Sequence, residues 1–405
     1  MNKKKIINDP VYGFITIPGD IIFDLLEHPW FQRLRYIHQL GLSHLVYPGA
    51  QHTRFQHTLG AMHLMQEAIK LLREKGIEIT YDEAEAVTIA ILMHDIGHGP
   101  FSHTLEGELV HVNHEFISSL IMQKLNSEFN GRLTLAIRIF NDEYPKKFLH
   151  SLVSSQLDMD RVDYLNRDTF FSGVAEGVIG WDRIIKMLNV VDDKLVIEEK
   201  GIYSIEKFIV SRRLMYWQVY LHKTSLAADQ MLIQVIRCAR IAIKNGMKLN
   251  GTDALLNFLN NEFSESDFTT DENILWNFSQ LDDNDIMAGL KMWMNSSDKV
   301  LSELCRRLLQ RRLFKIQLSK QPIPQSEIDK RLAEVKYRLK LEDDQARNFL
   351  ITGSTSNNAY NKNAGQILIR FKNGEIKDIA DAADQLNISV LSEPVTKYFL
   401  CWAAE

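Results

Sequence analysis

The chain has 405 residues, 45% hydrophobic and 24% charged, with a formal net charge of -5. That length holds one large core or two to three domains, and the composition is ordinary for a globular protein, which excludes fibrous and low-complexity classes. A general nucleic-acid coat would be basic, so any polyanion site must be local, and a nucleic-acid partner stays open.

In chain order, Lys3, Lys4 and Lys5 are followed by Asn8-Asp9-Pro10, which interrupts the apolar stretch a signal peptide needs. Residues 6–18 predict a turn and a short strand or hairpin arm. From Ile21 the pattern is helical. Leu59, Met62, Met65, Ile69 and Leu72 recur at steps of three and four, giving one apolar face. Asp82 followed by Glu85 predicts an N-cap with a reciprocal glutamate. The apolar run behind it, Ala86 to Met93, is too short to span a membrane and leads into His94-Asp95. Gly97, Gly99 and Pro100 end that helix.

Further helices are predicted over 114–125, 148–168, 204–222, 225–244 and 297–316. Residues 352–365, rich in Ser, Thr, Asn and Gly, predict a flexible loop. Gln366 to Phe371 predicts a strand, Lys372 to Glu375 a turn, 376–386 a short helix, and Val395 to Trp402 a last strand. The expected class is mainly α with a small C-terminal α+β region. Cys238, Cys305 and Cys401 form no CxxC pair, so no disulfide framework or cysteine zinc site is indicated. We expect a cytoplasmic protein without membrane contact.

The strongest chemical signal is His94-Asp95 at the end of a buried-looking helix. Burying a carboxylate beside an imidazole is costly unless something pairs with them. A divalent metal would pair with both, and imidazole plus carboxylate suits Fe, Mn, Zn or Ni. Alone, the pair reads more readily as a helix-end histidine beside a solvated aspartate. Its context favours the metal. His57 begins its own helix within His52 to Gly60. Asp160, Tyr164 and Asp168 stand at i, i+4 and i+8 on one helix face. That face is either a solvated acidic stripe or a metal carboxylate, a ring for a sugar and a carboxylate for a hydroxyl.

His57, His94-Asp95 and Asp160 resemble the H…HD…D signature of HD-domain metal phosphohydrolases. Asn8 to Gly13, Phe31 to Gly41, Tyr47 to Ala50, His52 to Gly60 and His94 to His103 resemble the SAMHD1-like deoxynucleoside triphosphate triphosphohydrolases. The resemblance is dense over 5–225. It implies that His57, His94, Asp95 and Asp160 hold the metal, with Mg accompanying the nucleotide phosphates. It implies His114 as the general acid to the 5′ oxygen, a role suited to a pKa near neutrality. His98 and Glu106 resemble a second catalytic pair, with glutamate where the family more often has aspartate, and His103 joins that set. Arg54, Arg161 and Arg212 would meet phosphates. Gln39 and Asp168 would bind the 3′ hydroxyl with Leu40 alongside, and Tyr164 and Tyr220 would crowd C2′.

The resemblance also implies a second, activating nucleotide site at subunit contacts. Lys5, Asn8, Gln32 and Arg35 match its N-terminal part. Glu27 stands where an aspartate reads guanine. Lys200, Lys223, Arg311 and Lys315 would contact phosphates, while Glu198 and Asn189 replace basic residues. The plainer reading of the cluster Arg306, Arg307, Arg311 and Arg312 is a solvated helix face. The implied partners are a dNTP, an activating nucleotide and further copies of the chain, as a dimer or tetramer.

The expected organisation is an arm over 1–20, a catalytic HD core over 21–240, a helical extension over 241–350 and an α+β region over 351–405. The expected reaction is hydrolysis of dNTPs to deoxynucleoside and inorganic triphosphate, by attack of a metal-activated water at the α-phosphorus. Two rivals are an HD phosphohydrolase for monophosphates, cyclic nucleotides or single-stranded nucleic acid, and a non-catalytic oligomeric nucleotide sensor.

Overall fold

Three helices meet at the centre of the molecule in a computed structural model that describes residues 5–361, 365–384, 386–388 and 393–404. Helix Arg54–Glu74 packs between helix Tyr81–Met93 and helix Met159–Ser172. Its apolar stripe of Leu59, Met62, Met65, Ile69 and Leu72 is buried, as the spacing requires. Val87 and Ile89 to Met93 are almost fully buried, so this helix is apolar all round because it is covered all round. Its N-cap is Thr80, not Asp82. Glu83 N donates to Thr80 Oγ1 at 3.2 Å and Thr80 N donates back to Glu83 at 2.8 Å. Tyr144 and Lys146 complete the partners of the Glu83 carboxylate, while Asp82 stays exposed.

The protein is mainly helical, with small sheets added. Ile6–Asp9 and Gly13–Thr16 form the expected N-terminal hairpin. The expected helix 148–168 is two helices, Lys147–Val153 and Met159–Ser172. Asp158 makes the break: its carboxylate accepts from Ser155 N and Arg161 N, both at 2.7 Å, in competition with the helical ladder. Ile202–Met215 continues into a π-helical turn, Tyr216–Tyr220.

Helix Lys299–Leu309 stops short of 316. Arg311 takes a left-handed backbone (φ 55) and Lys315–Ser319 is a strand. Leu350–Asn357 is likewise a strand, not the start of a loop. It and Lys315–Ser319 flank the last strand, Val395–Trp402, which pairs antiparallel with both. Edge position explains its polar composition, since alternate residues there face solvent. Of the expected tail helix, Ile376–Asp378 is strand and only Ile379–Ala382 is helical. Lys3, Lys4, residues 362–364 and 385 lie outside the described residues.

A hairpin of Leu188–Val191 and Lys194–Glu198 was not anticipated. Its turn uses Asp192 and Asp193, both at positive φ, the conformation a two-residue hairpin turn demands. Leu368–Arg370 joins it in parallel, so the tail is stitched back beside the core. No helix among the described residues is long and apolar enough to cross a membrane.

Candidate active site

The three central helices bring the predicted ligands to one point. His57 lies in the first turns of its helix, behind a capping box of Thr53 and Gln56. His94 ends the apolar helix, and Asp160 lies in the first turn of Met159–Ser172. Asp160 Oδ1 is 3.0 Å from His57 Nε2 and 3.5 Å from His94 Nε2. Asp95 Oδ1 is 3.1 Å from His94 Nε2, and Asp95 Oδ2 is 3.7 Å from His57 Nε2.

The hydrogen bonds fix which nitrogen each ring offers. His57 Nδ1 donates to Asp163 at 2.8 Å, and His94 Nδ1 donates to the Ile91 carbonyl at 2.6 Å. Both acceptors only accept, so each Nδ1 keeps a proton and Nε2 is the position that each ring turns to Asp160. Among the described residues, both Nε2 atoms are buried without a hydrogen-bond partner. Two orphaned imidazole nitrogens aimed at a carboxylate, each ring braced from behind, is what a divalent transition metal needs. His57, His94 and Asp160 could hold such an ion.

The field agrees. Burial opposes a charge on His57, but Asp160 and Asp163 outweigh it and push the imidazole up to about 10. The negative charge that holds a proton there would hold a cation in its place. Burial works against the Asp160 and Asp95 carboxylates, yet the histidines, and Arg54 beside Asp95, keep both well below the usual range.

A second group adjoins the first. His114 Nδ1 donates to Glu106 at 2.7 Å, and His114 N adds a 3.1 Å bond to the same oxygen. His98 stacks on His114 and reaches Asp95 Oδ1 at 3.3 Å. Burial, with the Arg54 charge nearby, drives His98 well down and His103 down to about 4, so both are neutral near pH 7.

A cleft of about 1040 Å³ opens over both groups. Gln39, Leu40, Arg54, His103, Arg161, Tyr164, Asp168 and Tyr220 all line it. Arg54 is buried, pairing with Asp95 at 2.5 Å and Ser102 at 2.7 Å. Arg161 turns its Nε to the Ser155 carbonyl at 2.6 Å. Arg212 stands further back, 3.3 Å from Gln156, with a buried Nε that has no hydrogen-bond partner among the described residues. Asp168 is held from two sides, by His52 at 2.8 Å and by the Tyr220 hydroxyl at 2.7 Å. The Tyr164 and Tyr220 rings meet edge to face at 6.2 Å.

The residues matched to an activating site are spread over several elements. Lys5 lies over the Phe23 ring, Asn8 is in the N-terminal hairpin, and Glu27 ends a helix. Gln32 accepts from Arg35 Nε at 2.7 Å, and Arg35 covers Phe55. Lys200, Lys223 and Lys315 sit on three other elements, and Arg311 bonds the Leu45 carbonyl at 2.9 Å. Glu198 is paired with Lys75 at 2.9 Å and with Asn189 at 3.1 Å.

Sequence reasoning missed the residues that brace the site. Arg33 donates to the carbonyls of Ile96, His98 and Leu281, clamping the loop after His94. Asp283, the first residue of helix Asp283–Trp293, accepts from Phe101 N and from His38. Asp163 was legible only as one more acid beside Asp160.

Residues 54–168 match the HD domain and residues 179–254 the HD associated region. YwfO of Bacillus subtilis is 33% identical over 321 residues, covering 78% of this chain and 72% of that protein. The Dictyostelium discoideum deoxynucleoside triphosphate triphosphohydrolase SAMHD1 homolog is 29% identical over 248 residues. That match covers 56% of this chain and about half (48%) of the relative. A solved phosphohydrolase from Bacteroides thetaiotaomicron is 54% identical, with a TM-score of 0.95 over 99% of this chain and 100% of that one. The chain belongs to the HD-domain phosphohydrolases and resembles the SAMHD1-like proteins.

Proposed function

We propose that the protein is a metal-dependent dNTP triphosphohydrolase that releases deoxynucleoside and inorganic triphosphate. The observation that carries this reading is one cleft lined by His94, Asp160, His114, Tyr164, Tyr220 and Asp168, with His57 grouped with His94 and Asp160, and Glu106 bonded to His114. His57, His94, Asp95 and Asp160 would hold a divalent Fe, Mn, Zn or Ni ion, which when bound polarises a phosphoryl oxygen and acidifies water.

The chain's own groups supply the rest. Glu106 holds the His114 Nδ1 proton, so in the imidazolium form it is the second proton, on Nε2, that can pass to the departing 5′ oxygen and leave a neutral ring. His98, neutral and stacked behind it, restricts the tilt of that ring. Arg54, Arg161 and Arg212 bring positive charge toward a triphosphate, whose phosphates would carry Mg. Gln39 Oε1 is buried without a partner, an acceptor suited to a 3′ hydroxyl beside Asp168. The edge-to-face tyrosines leave a narrow sugar wall, which supports deoxyribose. The deoxynucleoside triphosphate triphosphohydrolase activity of the SAMHD1 relatives supports the same substrate.

Product analysis with dNTPs, NTPs, monophosphates, cyclic nucleotides and single-stranded DNA tests the reading. Deoxynucleoside plus triphosphate from dNTPs is expected. Cleavage confined to another substrate, or no cleavage of any, overturns it.

We also read the protein as a nucleotide-activated homo-oligomer, dimer or tetramer, with Lys5, Asn8, Glu27, Gln32 and Arg35 at the activating site. Gln32 already orients Arg35, which supports a ready anion contact. A ligand that binds only the assembly stabilises it by mass action. Sedimentation should therefore show growth on adding a dNTP. A monomer at every concentration, with rates indifferent to any second nucleotide, removes this part.

A further inference from the structure

We propose that Asp9, Arg167 and Asp163 form a buried positioning relay that ties the N-terminal hairpin to the metal ligand His57. The proposal rests on the metal-centre reading above. Each link is a charge-assisted hydrogen bond. Asp163 Oδ2 accepts from His57 Nδ1 at 2.8 Å. Arg167 binds both oxygens of Asp163, with Nε at 3.0 Å and NH2 at 3.1 Å. The same guanidinium reaches Asp9, with NH1 at 2.8 Å and NH2 at 3.3 Å. His57, Asp163 and Arg167 are fully buried, and Asp9 is 6% exposed.

Asp9 is not free to swing. It ends the first hairpin strand, and its Oδ1 also accepts from Val11 N and Tyr12 N, both at 2.9 Å. The turn of the arm therefore sets where the Asp9 carboxylate stands. The core makes room for the relay at one glycine. A Cβ on Gly60 would lie 2.0 Å from Asp163 Oδ1 and 2.2 Å from Arg167 NH2. Any side chain there would push the pair off His57.

The charge count gives the relay its direction. Two buried carboxylates share one arginine, so Arg167 neutralises Asp163 only in part. The remaining negative charge on Asp163 falls on His57, making Nε2 a stronger donor to a cation. Without the Asp9 charge, Arg167 is spent on Asp163 alone and the grip on His57 weakens. The seating of the arm thus sets how tightly the centre holds its ion.

Titration of chelator-stripped, full-length protein with Mn(II), reading free Mn(II) by electron paramagnetic resonance, tests this. Asp163→Asn should weaken Mn(II) binding by about 10–100-fold, the usual cost of a lost partner behind a ligating histidine. Asp9→Asn, which keeps the turn acceptor, should weaken it less but in the same direction. On the Asp163→Asn background, Asp9→Asn should add nothing, because its effect passes through Asp163. A plain stabilising ion pair would lower the melting temperature of stripped protein and leave Mn(II) affinity unmoved. Should Asp9→Asn fail to fold, Asp9→Glu carries the test, since its longer reach pushes Arg167 toward Asp163, which is then neutralised more fully, and loss of affinity is again expected. Wild-type affinity in the folded Asp9 variant, or its full effect persisting beside Asp163→Asn, overturns the relay and leaves the metal centre standing. A wild-type protein that binds no Mn(II) overturns both.

Discussion

His98 and His114 stack face to face, with ring centroids 3.8 Å apart and planes 16° from parallel. Gly97 makes this contact attainable. A Cβ there would fall 2.2 Å from the His114 carbonyl and 2.4 Å from Ser118 N, both backbone atoms that cannot step aside. Gly97→Ala should therefore separate the rings and cost about 1–3 kcal/mol of stability, the range for overpacking. Chemical denaturation and turnover should fall together, and wild-type values for both would show that the loop tolerates the side chain.

His114 is the proposed proton donor, so His114→Ala should keep the metal and nucleotide affinity. Turnover should drop by about 10²–10⁴-fold, the usual worth of a general acid. Near-normal turnover with metal retained would remove His114 from the reaction.

The orphaned Nε2 atoms of His57 and His94 make metal retention a separate readout. His94→Ala or Asp95→Asn should strip metal and activity together, as measured by elemental analysis. Wild-type occupancy in His94→Ala would break the four-ligand assignment of His57, His94, Asp95 and Asp160.

Sugar selection should follow from Tyr220. Its hydroxyl is tethered to Asp168 at 2.7 Å, and its ring is held by Tyr164 and Tyr216. A tethered ring in a packed wall yields little to one added oxygen. dGTP should be cut and GTP spared, and Tyr220→Ala should narrow the difference. Comparable wild-type rates on the two would refute the wall.

Asp229 faces the same cleft with Thr104 donating to it at 2.9 Å, and burial pushes its carboxyl up from 3.8 to about 7. Between those values the folded chain keeps a proton that the unfolded chain has lost, so stability falls as pH rises through the window. Asp229→Asn should thus melt higher than wild type, with a gain that grows from pH 4 and levels off above pH 7. A gain that is constant across the range, or absent, would mean that this carboxyl titrates normally.

Local patterns foretold the three central helices and most of what they carry. A helical period fixes which residues share a face, so Asp160, Tyr164 and Asp168 could be set on one helix face from spacing alone. The same logic failed where side chains compete with the backbone. Asp158 breaks a helix that periodicity extends, and Thr80 takes a cap that Asp82 also fits.

Tertiary structure alone decided the supports: Arg33 on the Ile96 and His98 carbonyls, Asp283 on Phe101 and His38, and Asp9 on Arg167. It also decided that Leu350–Asn357 is a strand and that Leu368–Arg370 extends a sheet begun by Leu188–Val191 and Lys194–Glu198. These contacts join residues 63 to 248 positions apart at the clamp of Arg33 alone. Periodicity is a property of neighbours along the chain, whereas a buried ion pair or a strand partner is chosen by which surfaces the packed core brings together.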